Sequence, residues 1–393
     1  MRNILLATTA LAAVAGFASA ANAQIKVTLG GYTEFFAAIY DNSLINGTDR
    51  EFQLETEIVV RADGKADNGL LYGAKIELQN GTTPSVGTDE ASVYLGGSWG
   101  RVELGDFDGA ADTLAISGPL VGIESIDGDG IDFLTVRSVG FAGKNGNFEL
   151  GRLPWGGGPQ KAPDSGDATK VMYLTPRFMG FQGGFSYTPE GGDEAQSVVA
   201  TKNSVDYSDF LEFGLNYTGE FSGVSLAASA TGTSGNGKGA VGAAPALQNF
   251  TAWQVGAQVG YAGFKFGGGY VDADDFGVPA GEDSGDQHSW HVAGSYTAGP
   301  ASIGLVYLEA EGYKRTGAAG LGAPVPSTTP NTYADKYQIY GISGAYTLAP
   351  GFILQSDLLY VEEDLQRRSF STAATDKVNT DGYVWVVSTR LNF

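Results

Sequence analysis

The chain has 393 residues, with 59 glycines, 11% aromatic residues, only 17% charged residues and no cysteine. The missing cysteine excludes disulfides, a thiol nucleophile and Cys-based zinc or haem sites. The net charge of −21 opposes binding to nucleic acid, whose phosphates need Lys and Arg for neutralisation.

Residues 1–23 read as a signal peptide. Arg2 supplies the positive charge, Ile4 to Phe17 the apolar stretch, and Ala21-Asn22-Ala23 the small-x-small cleavage pattern. The apolar stretch is too short and too rich in Ala and Thr to span a membrane, which takes ~20 apolar residues. Removing it takes away one Arg and no acid, so −21 becomes −22 for residues 24–393. Nothing further along is apolar enough to cross a membrane as a helix. An exported soluble domain and an outer-membrane β-barrel both remain. The barrel's mark is ~10-residue alternating segments separated by turns.

Residues Ile25 to Tyr40 alternate: Ile25, Val27, Leu29, Phe35, Ala37 and Ile39 are apolar, while Lys26, Thr28 and Glu34 lie between them. Side chains alternate across a strand, so one face suits lipid and the other water. Phe52, Leu54, Ile58 and Val60 then alternate with Glu51, Gln53, Glu55, Glu57 and Arg61. Leu70, Tyr72, Ala74, Ile76 and Leu78 alternate with Lys75, Glu77 and Gln79. Short alternating stretches follow around Ala91–Leu95 and Arg101–Gly105. After a long interruption, strands are expected at Lys170–Thr175, Gly183–Thr188, Tyr207–Thr218, Val224–Thr231, Thr251–Tyr261, Phe264–Asp272 and His288–Tyr296. Four more follow at Ser302–Ala310, Tyr337–Leu348, Phe352–Glu362 and Gly382–Phe393. Short turns alternate with Gly-, Asp-, Pro- and Thr-rich loops, as a barrel with one trim and one loop-rich rim requires. The expected fold is all-β: an antiparallel transmembrane barrel of sixteen strands over residues 24–393. Its last strand must pair with its first, because unpaired amides in lipid cost several kcal/mol each.

The interruption, about 107–168, is acidic, with Asp108, Asp112, Glu124, Asp127, Asp129 and Asp132 in close succession after Asp106. Structureless connections this long are uncommon and usually functional. This one is expected to fold into the bore and narrow it. Within it, Leu134–Ala142 and Asn147–Leu153 flank Gly143-Lys144-Asn145-Gly146 and read as a hairpin with an Asn-Gly turn. Placed in the wall, that hairpin would make eighteen strands.

Several stretches together resemble the Gram-negative general diffusion porins over nearly the whole chain after residue 23. They are Gly30-Gly31-Tyr32, the run from Tyr94 to Gly105 (YLGGSWGRVELG), Asp108-Gly109-Ala110-Ala111-Asp112, the hairpin Thr169 to Pro189, Tyr346-Thr347-Leu348-Ala349-Pro350-Gly351, and a terminal Phe393. The resemblance implies an outer-membrane homotrimer in contact with lipid and lipopolysaccharide, and assembly by the barrel-assembly machinery through Phe393. It also implies a third outer loop folded into the lumen, and passive passage of small polar solutes between loop acids and wall bases. The chain departs from the family at Asp106, where members often carry Arg directly after Leu-Gly.

An acidic chain has acidic surface loops, and that reading competes; the density of the run and its place in the loop that the resemblance puts in the lumen favour the six named above as a pool from which a subset lines the bore. Arg61, Lys75 and Arg101 share parity with polar neighbours and should point inward, either lining the bore or pairing with Glu57, Glu77 and Glu103. Lys75 lies nearest mid-strand. Acids outnumber bases, so cation preference is expected. Asp127-Gly128-Asp129-Gly130-Ile131-Asp132 resembles the start of a calcium loop, but position 12 is Ser138 rather than Glu, so it is no EF-hand. A simpler structural calcium clip from Asp127, Asp129 and Asp132 stays open beside a plain turn, and no other cofactor is expected. His288 and His291, three apart on a strand, face opposite sides and form no two-histidine site. Trp290, Tyr296, Tyr346, Trp385 and Phe393 suit interfacial girdles. The expected function is a water-filled channel rather than an enzyme. A structural or adhesive barrel plugged by its long loop is the rival.

Overall fold

The computed structural model describes residues 25–42, 49–80, 86–123, 133, 161–191, 207–239, 246–278, 280, 287–311, 332–368 and 375–393, with only the backbone described at 42, 332–335, 337, 363–368 and 375–380. Sixteen strands form its wall. They are β1 (Lys26–Asn42), β2 (Arg50–Lys65), β3 (Leu71–Asn80), β4 (Val86–Gly97), β5 (Gly100–Asp106), β6 (Thr169–Leu174), β7 (Phe181–Glu190) and β8 (Tyr207–Phe221). The second half comprises β9 (Val224–Gly237), β10 (Phe250–Tyr261), β11 (Phe264–Asp272), β12 (His288–Ala298), β13 (Ala301–Glu311), β14 (Thr332–Ala349), β15 (Phe352–Arg368) and β16 (Thr375–Asn392). Each strand pairs antiparallel with its sequence neighbours, and β16 closes the ring on β1.

Closure has a specific clasp. The Gly31 N–H donates to the Phe393 carbonyl at 3.1 Å, and the Phe393 N–H donates back to the Gly31 carbonyl at 3.0 Å. A closed wall leaves no sheet edge unpaired in hydrocarbon. β5 pairs directly with β6, Arg101 opposite Leu174 through Asp106 opposite Thr169, so the wall has sixteen strands rather than eighteen. The hairpin stretch Leu134–Ala142 and Asn147–Leu153 lies outside the described residues.

The outward faces follow the alternation. Leu29, Phe52 and Leu305 are 67%, 72% and 59% exposed, exposures that only lipid makes tolerable for so many large apolar residues. Two-residue hairpins at 222–223 and 262–263 put both residues at positive φ: Ser222 and Gly223 at 51° and 81°, Ala262 and Gly263 at 50° and 87°. That is the type I′ geometry that matches strand twist, and it keeps this rim short.

The inner face departs from the expected polar lining. Towards the loop-rich rim, Phe36, Ala38 and Tyr40 of β1, Leu308 and Ala310 of β13, Ile339 of β14, Leu359 and Val361 of β15 and Val384 and Val386 of β16 are buried together with Ile123 and Phe133. Those strands are apolar on both faces because the chain between β5 and β6 covers them from inside. A second buried cluster joins Tyr207, Phe210, Phe250 and Val271 to Ala162.

Candidate functional site: an inner-wall track and an acidic wall

The chain leaves β5 at Asp106 and turns into the barrel. Its root is held by Thr169, whose hydroxyl donates to the Asp106 carboxylate, and by buried Lys170, whose ammonium donates to the carbonyls of both Phe107 and Gly166. Asp106 thus fixes the loop's base. A single turn of helix, α1 (Ala110–Thr113), follows.

From there the backbone runs along the inner wall, and one strand after another offers it a polar side chain. The Ala110 N–H donates to Ser186 Oγ of β7 at 2.9 Å, and the Ala111 N–H to Glu212 Oε2 of β8 at 3.1 Å. Asn216 of β8 donates to the Leu114 carbonyl, Ser229 of β9 accepts from Ile116 at 2.7 Å, and Gln258 of β10 donates to the Ser117 carbonyl at 2.6 Å. His291 Nε2 of β12 accepts the Gly118 N–H at 2.8 Å, and Asp357 of β15 accepts the Ile123 N–H at 3.0 Å. Phe133 then packs against Phe36 and Tyr40 of β1. On the return limb Ala162 donates to Gln254 Oε1, and the amide and hydroxyl of Ser165 both donate to Glu212 Oε1. Buried irregular backbone must find partners, and here the barrel wall supplies them.

Close approach also needs room. A side chain at Gly214 would strike Leu114, one at Gly256 the Ile116 carbonyl, and one at Gly304 the side chain of Val121. Inward glycines on β8, β10 and β13 therefore clear the track that inward acceptors furnish. Gly269 of the Gly267-Gly268-Gly269 run likewise leaves space for the His291 ring.

The wall of β2–β4 has a different character. Glu57, Glu77 and Asp89 bring one carboxylate oxygen each within 4.8 Å of one another, and Glu90 does the same with Asp108 and Asp167 at the loop's root. Strict alternation would send Asp89 and Glu90 to opposite faces. A register shift between Ile76 and Leu78 on β3 makes two β4 residues oppose one, and both carboxylates end up inside.

Lys75 sits within this face, paired with Glu77 at 3.1 Å and with Glu90. Arg61 lies directly opposite Lys75 on β2. Arg101 stands apart at the short rim, 2.9 Å from Glu103 and stacked over the Tyr94 ring at 3.9 Å. Asp112 pairs with Lys161 across the two loop limbs at 3.2 Å. Burial, reinforced by the Asp112 carboxylate, pushes the Asp108 carboxyl up to about 8. Burial and Glu212 raise Asp164 to about 7. Glu124, Asp127, Asp129 and Asp132, with the calcium clip drawn from them, lie outside the described residues. His288 stacks on Tyr270, while His291 is buried against the loop. Reading the sequence missed Glu212, His291, Asp357, Lys161 and Lys170, whose partners are backbone or side chains mostly remote in the chain.

A closed antiparallel barrel with an apolar exterior and a connection threaded through its bore is the architecture of an outer-membrane pore. The chain belongs to the Gram-negative porin family, whose model it matches over residues 7–365. These are channels rather than enzymes, and they are integral multi-pass barrels of the outer membrane. A porin of Rhodobacter capsulatus is 30% identical over 95 residues, 23% of this chain and 31% of that relative's length. An uncharacterised Rickettsia bellii protein is 22% identical over the full length of both. Among solved structures, an anion-selective porin from Comamonas acidovorans matches with a TM-score of 0.59 at 17% identity, and a variant of the Rh. blastica porin with 0.55 at 13%. Each comparison covers 94% of this chain and 100% of the other.

Proposed function

We propose that this barrel lets small hydrophilic solutes and ions diffuse passively across the outer membrane, with a preference for cations. The observation that carries the ionic preference is the β2–β4 wall. There Glu57, Glu77 and Asp89 gather inside the barrel, and Lys75 pairs with Glu77 and with Glu90 beside them. The Debye length is ~8 Å at physiological salt, so carboxylates a few ångströms apart act on a passing ion as a group. A porin of similar fold is anion-selective, so the preference read here rests on the wall charges of this chain and not on the barrel.

Export with removal of residues 1–23, assembly as a homotrimer through family likeness, lipid and lipopolysaccharide around the outer face, and recognition of Phe393 by the barrel-assembly machinery complete the proposal. Purified protein in a planar bilayer under a potassium chloride gradient tests it. A reversal potential of cationic sign supports it. One of anionic sign refutes the preference, and the absence of conductance favours a barrel plugged by its loop.

A further inference from the structure

The proposed cation preference leaves open how such a dense acidic wall avoids trapping the ions that pass it, and Lys75 supplies an answer. Its ammonium pairs at once with Glu77 and Glu90. Glu77 belongs to the group formed with Glu57 and Asp89, and Glu90 to the group formed with Asp108 and Asp167. One tethered cation therefore joins two groups of three acidic side chains, one on the wall and one at the loop's root.

We infer that Lys75 is a specificity-determining residue that acts as a built-in counter-ion. It holds the bridging position between the two groups and keeps them from closing around a divalent cation, so the channel passes monovalent cations without being blocked by divalent ones. An ammonium held against a carboxylate competes with a hard cation for it, both by occupying an oxygen and by repelling the second positive charge, and such a cation takes several oxygen ligands at once. Arg61, the nearest wall base by register, lies directly across the pair of strands from Lys75 but joins no ion pair among the described residues, so it does not duplicate the bridge.

The inference rests on the cation preference proposed above, and the test separates the two. Wild type, K75Q and K75R are reconstituted in planar bilayers, and potassium current is recorded while calcium or magnesium chloride is added. K75Q should show a half-blocking divalent concentration at least about tenfold lower than wild type, from removal of a unit positive charge within contact distance of the carboxylates. K75R should behave as wild type. The double variant K75Q/E77Q, which removes a carboxylate of the wall group, should recover most of the wild-type tolerance. Should K75Q fail to assemble, K75M carries the same comparison, and the E77Q and E90Q single variants, which lose a carboxylate but keep the ammonium, should be no more sensitive to divalent block than wild type; greater sensitivity in either would overturn the inference. Equal divalent sensitivity in wild type and K75Q would overturn the inference while leaving a cationic reversal potential intact. An anionic reversal potential in wild type would overturn the underlying preference instead.

Discussion

The His291 imidazole on β12 accepts the Gly118 N–H through Nε2 at 2.8 Å, across 173 positions of sequence. The ring is almost wholly buried, with 1% exposure. Accepting at Nε2 requires the tautomer protonated at Nδ1, and a doubly protonated ring cannot accept at all. His291→Phe keeps the ring volume but leaves a buried N–H unpaired, which costs about 1–3 kcal/mol. Amide exchange at Gly118 and its neighbours should accelerate in that variant while the wall strands keep their protection. His291→Gln, which retains an acceptor, should show a smaller effect.

Glu212 gathers both limbs of the loop, taking the Ala111 N–H with one oxygen and the amide and hydroxyl of Ser165 with the other. Glu212→Ala strands three donors at once, and the loop should then become sensitive to protease at concentrations that leave wild type intact. Glu212→Gln preserves one acceptor oxygen and should fall between the two.

The glycine track makes a steric prediction. A side chain at Gly256 meets the Ile116 carbonyl, and overfilling a packed contact costs about 1–3 kcal/mol. The barrel can escape that cost by letting the loop step away from the wall into the bore. Gly256→Val should therefore assemble normally but show reduced single-channel conductance. An unchanged conductance would mean the loop does not bound the aqueous path.

Asp108 gives the pH dependence. Burial and the Asp112 charge raise its carboxyl to about 8, against ~3.9 for an unperturbed Asp. Between those values the folded protein holds a proton that the unfolded chain has lost. This group's contribution to stability is therefore full below about pH 4 and falls as pH rises towards 8. Ionisation also adds a negative charge beside Glu90 and Asp167. Cation preference should increase as pH rises from about 6 to about 9, and Asp108→Asn should abolish that component of the titration.

Much of the wall was legible. Phe52, Leu54, Ile58 and Val60 declare one face of β2, and sixteen such stretches matched the sixteen strands because lipid outside and water or loop inside impose a strict period of two. The bulge at Asp89 and Glu90 was not legible: alternation assigns one of them to lipid, and only the pairing with β3 reveals the shift. The apolar inner residues Phe36, Ala38, Val384 and Val386 were visible as letters, but a covering segment from elsewhere in the chain had to be known before their burial made sense. Ser186, Glu212, His291 and Asp357 look like any water-facing residues. Their partners are backbone amides with no side-chain signature, up to 234 positions away.

The claim on which the account turns is that the β2–β4 wall sets the ionic preference of the pore. Reversal potentials in a potassium chloride gradient, compared between wild type and the triple variant E57Q/E77Q/D89N, test it most directly. A cation-preferring wild type whose preference collapses towards neutrality in the triple variant is the predicted result. A wild type that prefers anions, or a triple variant with an unaltered reversal potential, would contradict it.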